Sequence, residues 1–560
     1  MARPVPPSAR LLPWVCAGSV ALVAWGSHAN TLSHGFVSDD RPYVVDNPAV
    51  RGPGSLRHVS PSWWKAARTE QRIGGFYRPL PILTFRLDRG GAAPHEALDP
   101  APFHRTNVLL HALAAVLAWW LARRLARSDT AALVGGLLFA AHPVHSEAVA
   151  WVSGRAELLA ATSALACLAI AAGLSDAPAR RRPWLVAAAA LLLVLALSSK
   201  EGAVALAPIL WLLIRSRSGL RSLAASGILL AFAWGLCAAH VALVWWVRAG
   251  VPAGGLGSFV DNPLWAEPWA VRAGTALAVL ARGAGLLVWP ASLSADYSHR
   301  SIPIARWILE PAPLMGLAVF ALLAWAAARC LRGRDGLSFP LALALLAWLP
   351  ASNLIVRTGT ILGERLLYFP SAGLCLAAGV AGARLSARSR LAHRAVLAAT
   401  LALTLAGLAR TVARNRVWKD EETLLRATLA AHPENVKALR ALGSLLGRRG
   451  ERGEALRLLD RALEVHPGYA QGHADRGACL IEAGRIAEAE AALRKALELH
   501  PGQAAVWSNL GVCHVRTGRL EEAVRCFAEA ARIDPTLRNA RENLARTLEA
   551  LGRPPDRKKE

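Results

Sequence analysis

The feature that most constrains this chain is a succession of apolar runs long enough to cross a bilayer. They lie near 11–31, 106–122, 130–149, 156–174, 222–247, 312–330, 338–354, 366–383 and 391–409. A spanning helix needs roughly 20 predominantly apolar residues. The run 184–214 is interrupted by "SSKEG" and reads as two short spans meeting at a polar elbow. The run 271–290 carries Arg272 and Arg282 and reads as re-entrant or interfacial. The N-terminus resembles a signal peptide, but its apolar run is long and further spans follow, so an uncleaved anchor is expected.

Charge sets the expected parity. Of 560 residues, 54% are hydrophobic and 18% charged, with 64 Lys and Arg against 39 Asp and Glu. The excess falls in short clusters at 122–128, 177–183, 215–221, 329–335 and 384–394. Clusters between spans mark cytoplasmic loops. Nucleic-acid binding would need a basic face on a soluble domain, and none is expected. With the N-terminus inside, the count gives about eleven spans. The loop 32–105, "HPVHSE", "SSKEG" and the C-terminus then fall outside. Eight cysteines without CxxC spacing suggest neither a disulfide framework nor a zinc site.

From about 418 the chain becomes charged and repetitive. Pro433, Pro467, Pro501 and Pro535 stand 34 residues apart, the period of the tetratricopeptide repeat. Trp507, Leu510, Gly511, Ala523, Phe527, Ala530 and Pro535 occupy the pattern positions of one copy. Full copies are expected at about 436–469, 470–503 and 504–537, with flanking helices completing 418–552. The fold class is therefore all-α: a polytopic helical membrane domain over 1–410, with 32–105 as its first outer loop, then a repeat superhelix. Stacked repeats form a concave surface suited to extended peptide.

Polar and ionisable groups gather on the face expected opposite the arginine clusters. They include Asp39 and Asp40, Arg78, His104, Asn107, His111, His142, His145, Glu147, Arg155, Lys200, Glu201, Glu364, Arg365 and Tyr368. Charges at membrane depth are costly and usually face a cavity or a partner. Lone cations beside apolar walls suit a lipid-linked phosphate, whose departing charge they stabilise. A carboxylate suits a general base acting on a hydroxyl. The pair His142 and His145 with Glu147 hints at metal, but Pro143 spoils a regular helical face and no further ligands cluster there. No metal is expected.

The stretches "SDDRPYVVDNPAV", "FYRPLPILTFRLD", "FHRTNVLLHAL", "FAAHPVHSEAVAWVSGRAELLA", "SSKEGAVAL", "NLIVRTGTILGERLLYFPSAG" and "RNRVWKDEETLLRATLAAHPEN" together resemble the transmembrane and tetratricopeptide-repeat O-mannosyltransferases, in the same order along nearly the whole chain. Their membrane part is similar to the type-C glycosyltransferases. The resemblance implies a polyprenyl-phosphate sugar donor, dolichyl phosphate mannose in that family. It implies catalysis by the acidic motif of the first outer loop, and neither metal nor other cofactor. Asp39 and Asp40 become the catalytic pair, with Asp40 expected as the base and Asp39 orienting it. Donor-phosphate candidates are Lys200 and Arg365 first, then Arg78, His142, His145 and Arg155, with Glu147 and Glu364 supporting. The repeats would bind a protein acceptor for transfer to Ser or Thr. Alternatives are the same chemistry on a lipid or envelope glycan, or a non-catalytic scaffold recruiting partners through its repeats. The Ala, Leu and Arg bias suggests a bacterial inner membrane, with an undecaprenyl-type carrier and periplasmic repeats.

Overall fold

The structure, a computed structural model, describes residues 7–52, 60–62, 64, 77–93, 95–225, 227–249, 259–333 and 336–553. The first six residues of the expected anchor, most of the outer loop from 53 to 76, and positions 334–335 lie outside the described residues. So do the side chains from 218 onward in the basic cluster 215–221. The chain is helical throughout, with no strand among the described residues. It divides into two compact units, one of residues 1–297 and 302–424, the other of 298–301 and 425–560.

The first unit holds α1 (Pro7–His28), α2 (Pro48–Arg51), α3 (Pro79–Arg89), α4 (Ala101–Ala126), α5 (Asp129–Ala140), α6 (Ser146–Ala150), α7 (Arg155–Ala171), α8 (Arg182–Ser199), α9 (Leu206–Ala225), α10 (Gly227–Arg248), α11 (Trp269–Val288), α12 (Pro311–Arg332), α13 (Ser338–Trp348), α14 (Tyr368–Ser386) and α15 (Arg390–Asn415). Among the described residues, eight helical segments are long and apolar enough to cross a membrane: Ala101–Ala126, Val152–Ala171, Ala179–Ser199, Gly227–Arg248, Trp269–Val288, Pro311–Arg332, Glu364–Ser386 and Arg390–Trp418. Two more apolar segments are shorter, Asp129–Ala140 and Ser338–Ala351.

Those short segments matter for the site. The run expected at 130–149 does not form one helix. It breaks after Ala140, where Pro143 interrupts the ladder and the His142 side chain caps the Val144 N–H instead. The 12 residues of α5 rise only about 18 Å, against about 30 Å of hydrocarbon. The loop after α5 is therefore sunk into the bundle. Small residues allow this packing. A Cβ on Gly379 of α14 would lie 2.3 Å from the Ala131 carbonyl of α5, so the two backbones are in direct contact. The polar elbow is present as a tight turn, Glu201–Ala205, between α8 and α9.

Length and composition would let α11 span, and both of its flanks are hydrogen-bonded to loops of the site. Before it, the Asn262 amide donates to Asn353 Oδ1 and the Thr358 carbonyl, each at 2.9 Å. At its other end the Leu287 carbonyl meets His142 Nε2 at 2.9 Å. The segment 352–363 that receives the first bonds leads directly into Arg365, which pairs with Glu147 of the segment 141–154.

The second unit contains α17 (Val436–Arg448), α18 (Arg452–Val465), α19 (Ala470–Glu482), α20 (Ile486–Leu499), α21 (Ala504–Arg516), α22 (Leu520–Ile533) and α23 (Arg538–Ala550). Before them, α16 (Glu421–Ala431) runs across the boundary between the units. The repeat glycines have a steric cause. A Cβ on Gly443, Gly477 or Gly511 would come within 2.6–2.8 Å of Leu459, Leu493 or Phe527 on the second helix of its pair. Leu510 and Phe527 are buried, whereas Trp507 is half-buried and donates to the Pro501 carbonyl.

Candidate active site

The acidic motif lies in the loop after α1, and its two carboxylates have different environments. Asp40 is fully buried. One of its oxygens accepts from the Ser153 N–H at 2.8 Å and the Ser153 hydroxyl at 2.6 Å, and the other accepts from the Val37 N–H at 3.1 Å. Burial pushes its carboxyl up to about 7, against the pull of those three donors. Asp39 is exposed. The residue before it, Ser38, has a left-handed backbone (φ 53°), uncommon for a residue with a Cβ. Its N–H donates to Glu421 at 2.5 Å. Asp39 is thus displayed between two anchored neighbours.

Ser153 reaches Asp40 because the chain from 141 to 154 folds tightly on itself. Gly154 makes this possible, since a Cβ there would lie 2.4 Å from the Ala148 carbonyl. The same stretch forms a wall of the site. The Arg365 guanidinium lies over the Trp151 ring at 4.9 Å, and Trp151 stacks on Trp418. Arg365 is also paired with buried Glu147, which accepts from both its guanidinium and its N–H. Asp40 and Arg365 therefore hang on one three-residue segment, Trp151 to Ser153.

The remaining cations separate into available and committed groups. Lys200 pairs with Glu157, and Arg78 makes a two-bond pair with Glu201 at 2.7 and 3.0 Å. Arg365 and Arg78 keep 27% of their side-chain surface exposed and Lys200 keeps 13%. The charges of Arg78, Glu201, Arg365 and Glu147 all act on Lys200, so these pairs form one neighbourhood.

Arg155 does not fit the donor-phosphate role expected of it. Its side chain is wholly buried and donates to Asp88 at 2.5 Å, Asn107 at 2.8 Å, the Phe103 carbonyl at 2.7 Å and Thr84 at 3.3 Å. It rests on the Phe85 ring. Its work is to fasten α3 and α4 to α7. His145 is likewise buried, bonded to Ser371 and packed among His111, Phe139 and Tyr368. His142 is committed to Val144 and Leu287. Glu364 is buried away from its neighbour Arg365, accepting from Tyr297 at 2.8 Å and the Ser294 N–H at 2.6 Å, with Arg414 at 3.6 Å. His111, expected on this face, bonds Tyr368 and the Ala140 carbonyl. Among the described residues, no group of three or more His, Cys, Asp or Glu is placed to hold a metal ion.

Sequence reading assigned no role to Ser153, Asp88, Glu157 or Glu421. All four lie inside the motif stretches, but only the fold shows what each pairs with.

Two family models, each described as tetratricopeptide repeat, match residues 440–504 and 480–541. Human protein O-mannosyl-transferase TMTC4 is 29% identical, over 80% of this chain and 66% of its own length. The Drosophila melanogaster protein O-mannosyl-transferase Tmtc1 is 30% identical, over 78% and 60%. The mouse protein O-mannosyl-transferase TMTC3 is 28% identical, over 74% and 47%. The curated homologues of this chain are protein O-mannosyl-transferases. It spans about half to two thirds of the length of these mannosyl-transferases. The matches to them cover most of this chain.

Proposed function

We propose that this protein transfers a sugar, mannose by analogy with its homologues, from a polyprenyl-phosphate donor to Ser or Thr hydroxyls of an exported protein. The observation that carries this reading is the displayed Asp39 beside the Trp151–Ser153 wall, with Arg365 on that same wall. Asp39 removes the proton of the acceptor hydroxyl as its oxygen attacks the sugar's anomeric carbon. The bond from that carbon to the phosphate oxygen breaks, and its electron pair leaves with the lipid phosphate. Charge grows on that phosphate as the sugar departs, so Arg365, with Lys200 and Arg78, stabilises the transition state more than the bound donor. Asp40, with both oxygens occupied, anchors the loop. This reverses the roles expected from sequence, because Asp40 is buried whereas Asp39 is exposed.

The depth of the site supports a lipid donor. Helices α5 and α13, of 12 and 11 residues, are too short to cross about 30 Å of hydrocarbon, so the loops 141–154 and 352–364 that follow them suit a phosphate held at the edge of the bilayer. The segment 415–424 meets the acidic loop, which supports repeats on the acidic side of the membrane. Placing α11 at that surface keeps the arginine clusters on the opposite side, as the count from sequence requires. In this reading the membrane is a cytoplasmic one and the repeats present the acceptor.

The test is transfer of label from radiolabelled polyprenyl-phosphate mannose into protein, in membrane vesicles of the producing cells. Transfer that depends on this protein supports the reading. Equal transfer in vesicles lacking it overturns the reading.

A further inference from the structure

Residues 415–424 follow the last apolar helix and carry a motif with no part in the chemistry above. Their contacts converge on the acidic loop. The Gly35 N–H donates to the Lys419 carbonyl at 3.0 Å. Val37 is buried in one small cluster with Ala150, Trp151, Trp418 and Leu424. Upstream, the Asn415 amide donates to the Ser27 carbonyl and Asn30 Oδ1, each at 2.9 Å. The Glu421 carboxylate takes the Ser38 N–H, the last backbone donor before Asp39.

Building on the proposed transferase, we infer that Glu421 is a positioning residue for Asp39. The physical reason is the backbone at Ser38. A left-handed φ on a non-glycine residue persists only when its surroundings hold it. A charged acceptor on its N–H is such a hold, and charge-assisted hydrogen bonds are the stronger kind. Ser153 fixes the loop on the far side of Asp39 through Asp40, and Glu421 fixes it on the near side. Release of either side lets Asp39 leave the line of attack, where a small displacement is costly in rate. Glu421 also opens α16, whose later residues are counted with the repeats. The helix that leads into the repeats thus begins with the group that sets the base.

Two measurements on the full-length protein test this. In the vesicle transfer assay, Glu421→Ala is expected to lower the maximal rate about tenfold, the worth of one charge-assisted hydrogen bond, at unchanged half-saturation for donor. Glu421→Gln keeps a carbonyl acceptor for Ser38 and is expected within about threefold of wild type, since the bond weakens without being lost. Independently of activity, Glu421→Ala is expected to raise hydrogen exchange about tenfold in the peptide covering residues 34–40, with exchange in residues 436–550 unchanged. Wild-type rate and exchange in Glu421→Ala overturn the inference, as does equal loss in the Ala and Gln variants. Asp39→Asn runs alongside as the control: full activity there removes the transferase reading, whereas its loss beside a normal Glu421→Ala removes the positioning role alone.

Discussion

At the scale of single residues, two adjacent aspartates have opposite surroundings and should respond differently. Asp39→Asn removes the base and is expected to cost on the order of 10²–10⁴ in rate. Asp40→Asn and Ser153→Ala each disturb an anchor and are expected to cost about tenfold; matched losses at 39 and 40 would contradict separate roles. Asp40 also gives a pH signature. Its folded value of about 7 lies above the ordinary carboxyl value of about 4, so the native chain keeps this proton to higher pH than the unfolded chain. That contribution to stability is complete below about pH 4 and is lost as pH rises through about 7. The Tm of wild type minus that of Asp40→Asn should therefore fall from about pH 5 to about pH 7, and a constant difference would count against it. Arg155→Met removes a fully buried hub and leaves half-buried Asp88 without its cation, and should destabilise by about 3 kcal/mol, read as loss of folded protein. Arg365→Met should instead leave the fold intact and raise the donor concentration needed. The motif stretches located these residues but not their partners. Nothing in the spacing of Arg155 and Asp88, or of Ser153 and Asp40, brings them together, because separate helices carry them and only packing decides burial.

At the scale of elements, α11 is where hydropathy and the charge count give different expectations. It has 20 residues and the composition of a span, and its flanks are hydrogen-bonded to loops of the site through Asn262, Trp265 and His142. Cysteines placed at exposed Phe259 and Ile308 should react with a membrane-impermeant maleimide from the same side; labelling from opposite sides would make α11 a crossing. The repeats were the most readable part of the chain. Their 34-residue period is local, and each glycine answers to one partner within its own hairpin. Gly511→Ala places a methyl against the Phe527 ring and should cost about 1–3 kcal/mol of repeat stability by overpacking, measurable as a lower unfolding midpoint. The break after Ala140 was less readable. Pro143 is visible in the sequence, but that the loop behind it sinks into the bundle depends on backbone contact between α5 and α14, which small residues permit without specifying.

At the scale of the whole molecule, apolar runs, basic clusters and a repeat period describe a helical membrane protein with a repeat tail, and the comparisons agree with that description. Chemistry needed more: one aspartate exposed, its neighbour buried, and three of the expected cations paired with carboxylates yet partly exposed. The central claim is that Asp39 drives sugar transfer to exported protein. It is tested most directly by mass spectrometry of envelope proteins from cells carrying wild-type protein, no protein, or Asp39→Asn at matched membrane levels. The account predicts hexose on Ser or Thr residues with the wild type, and its loss in both other strains. Hexose retained on the same residues in the Asp39→Asn strain but lost without the protein would contradict it.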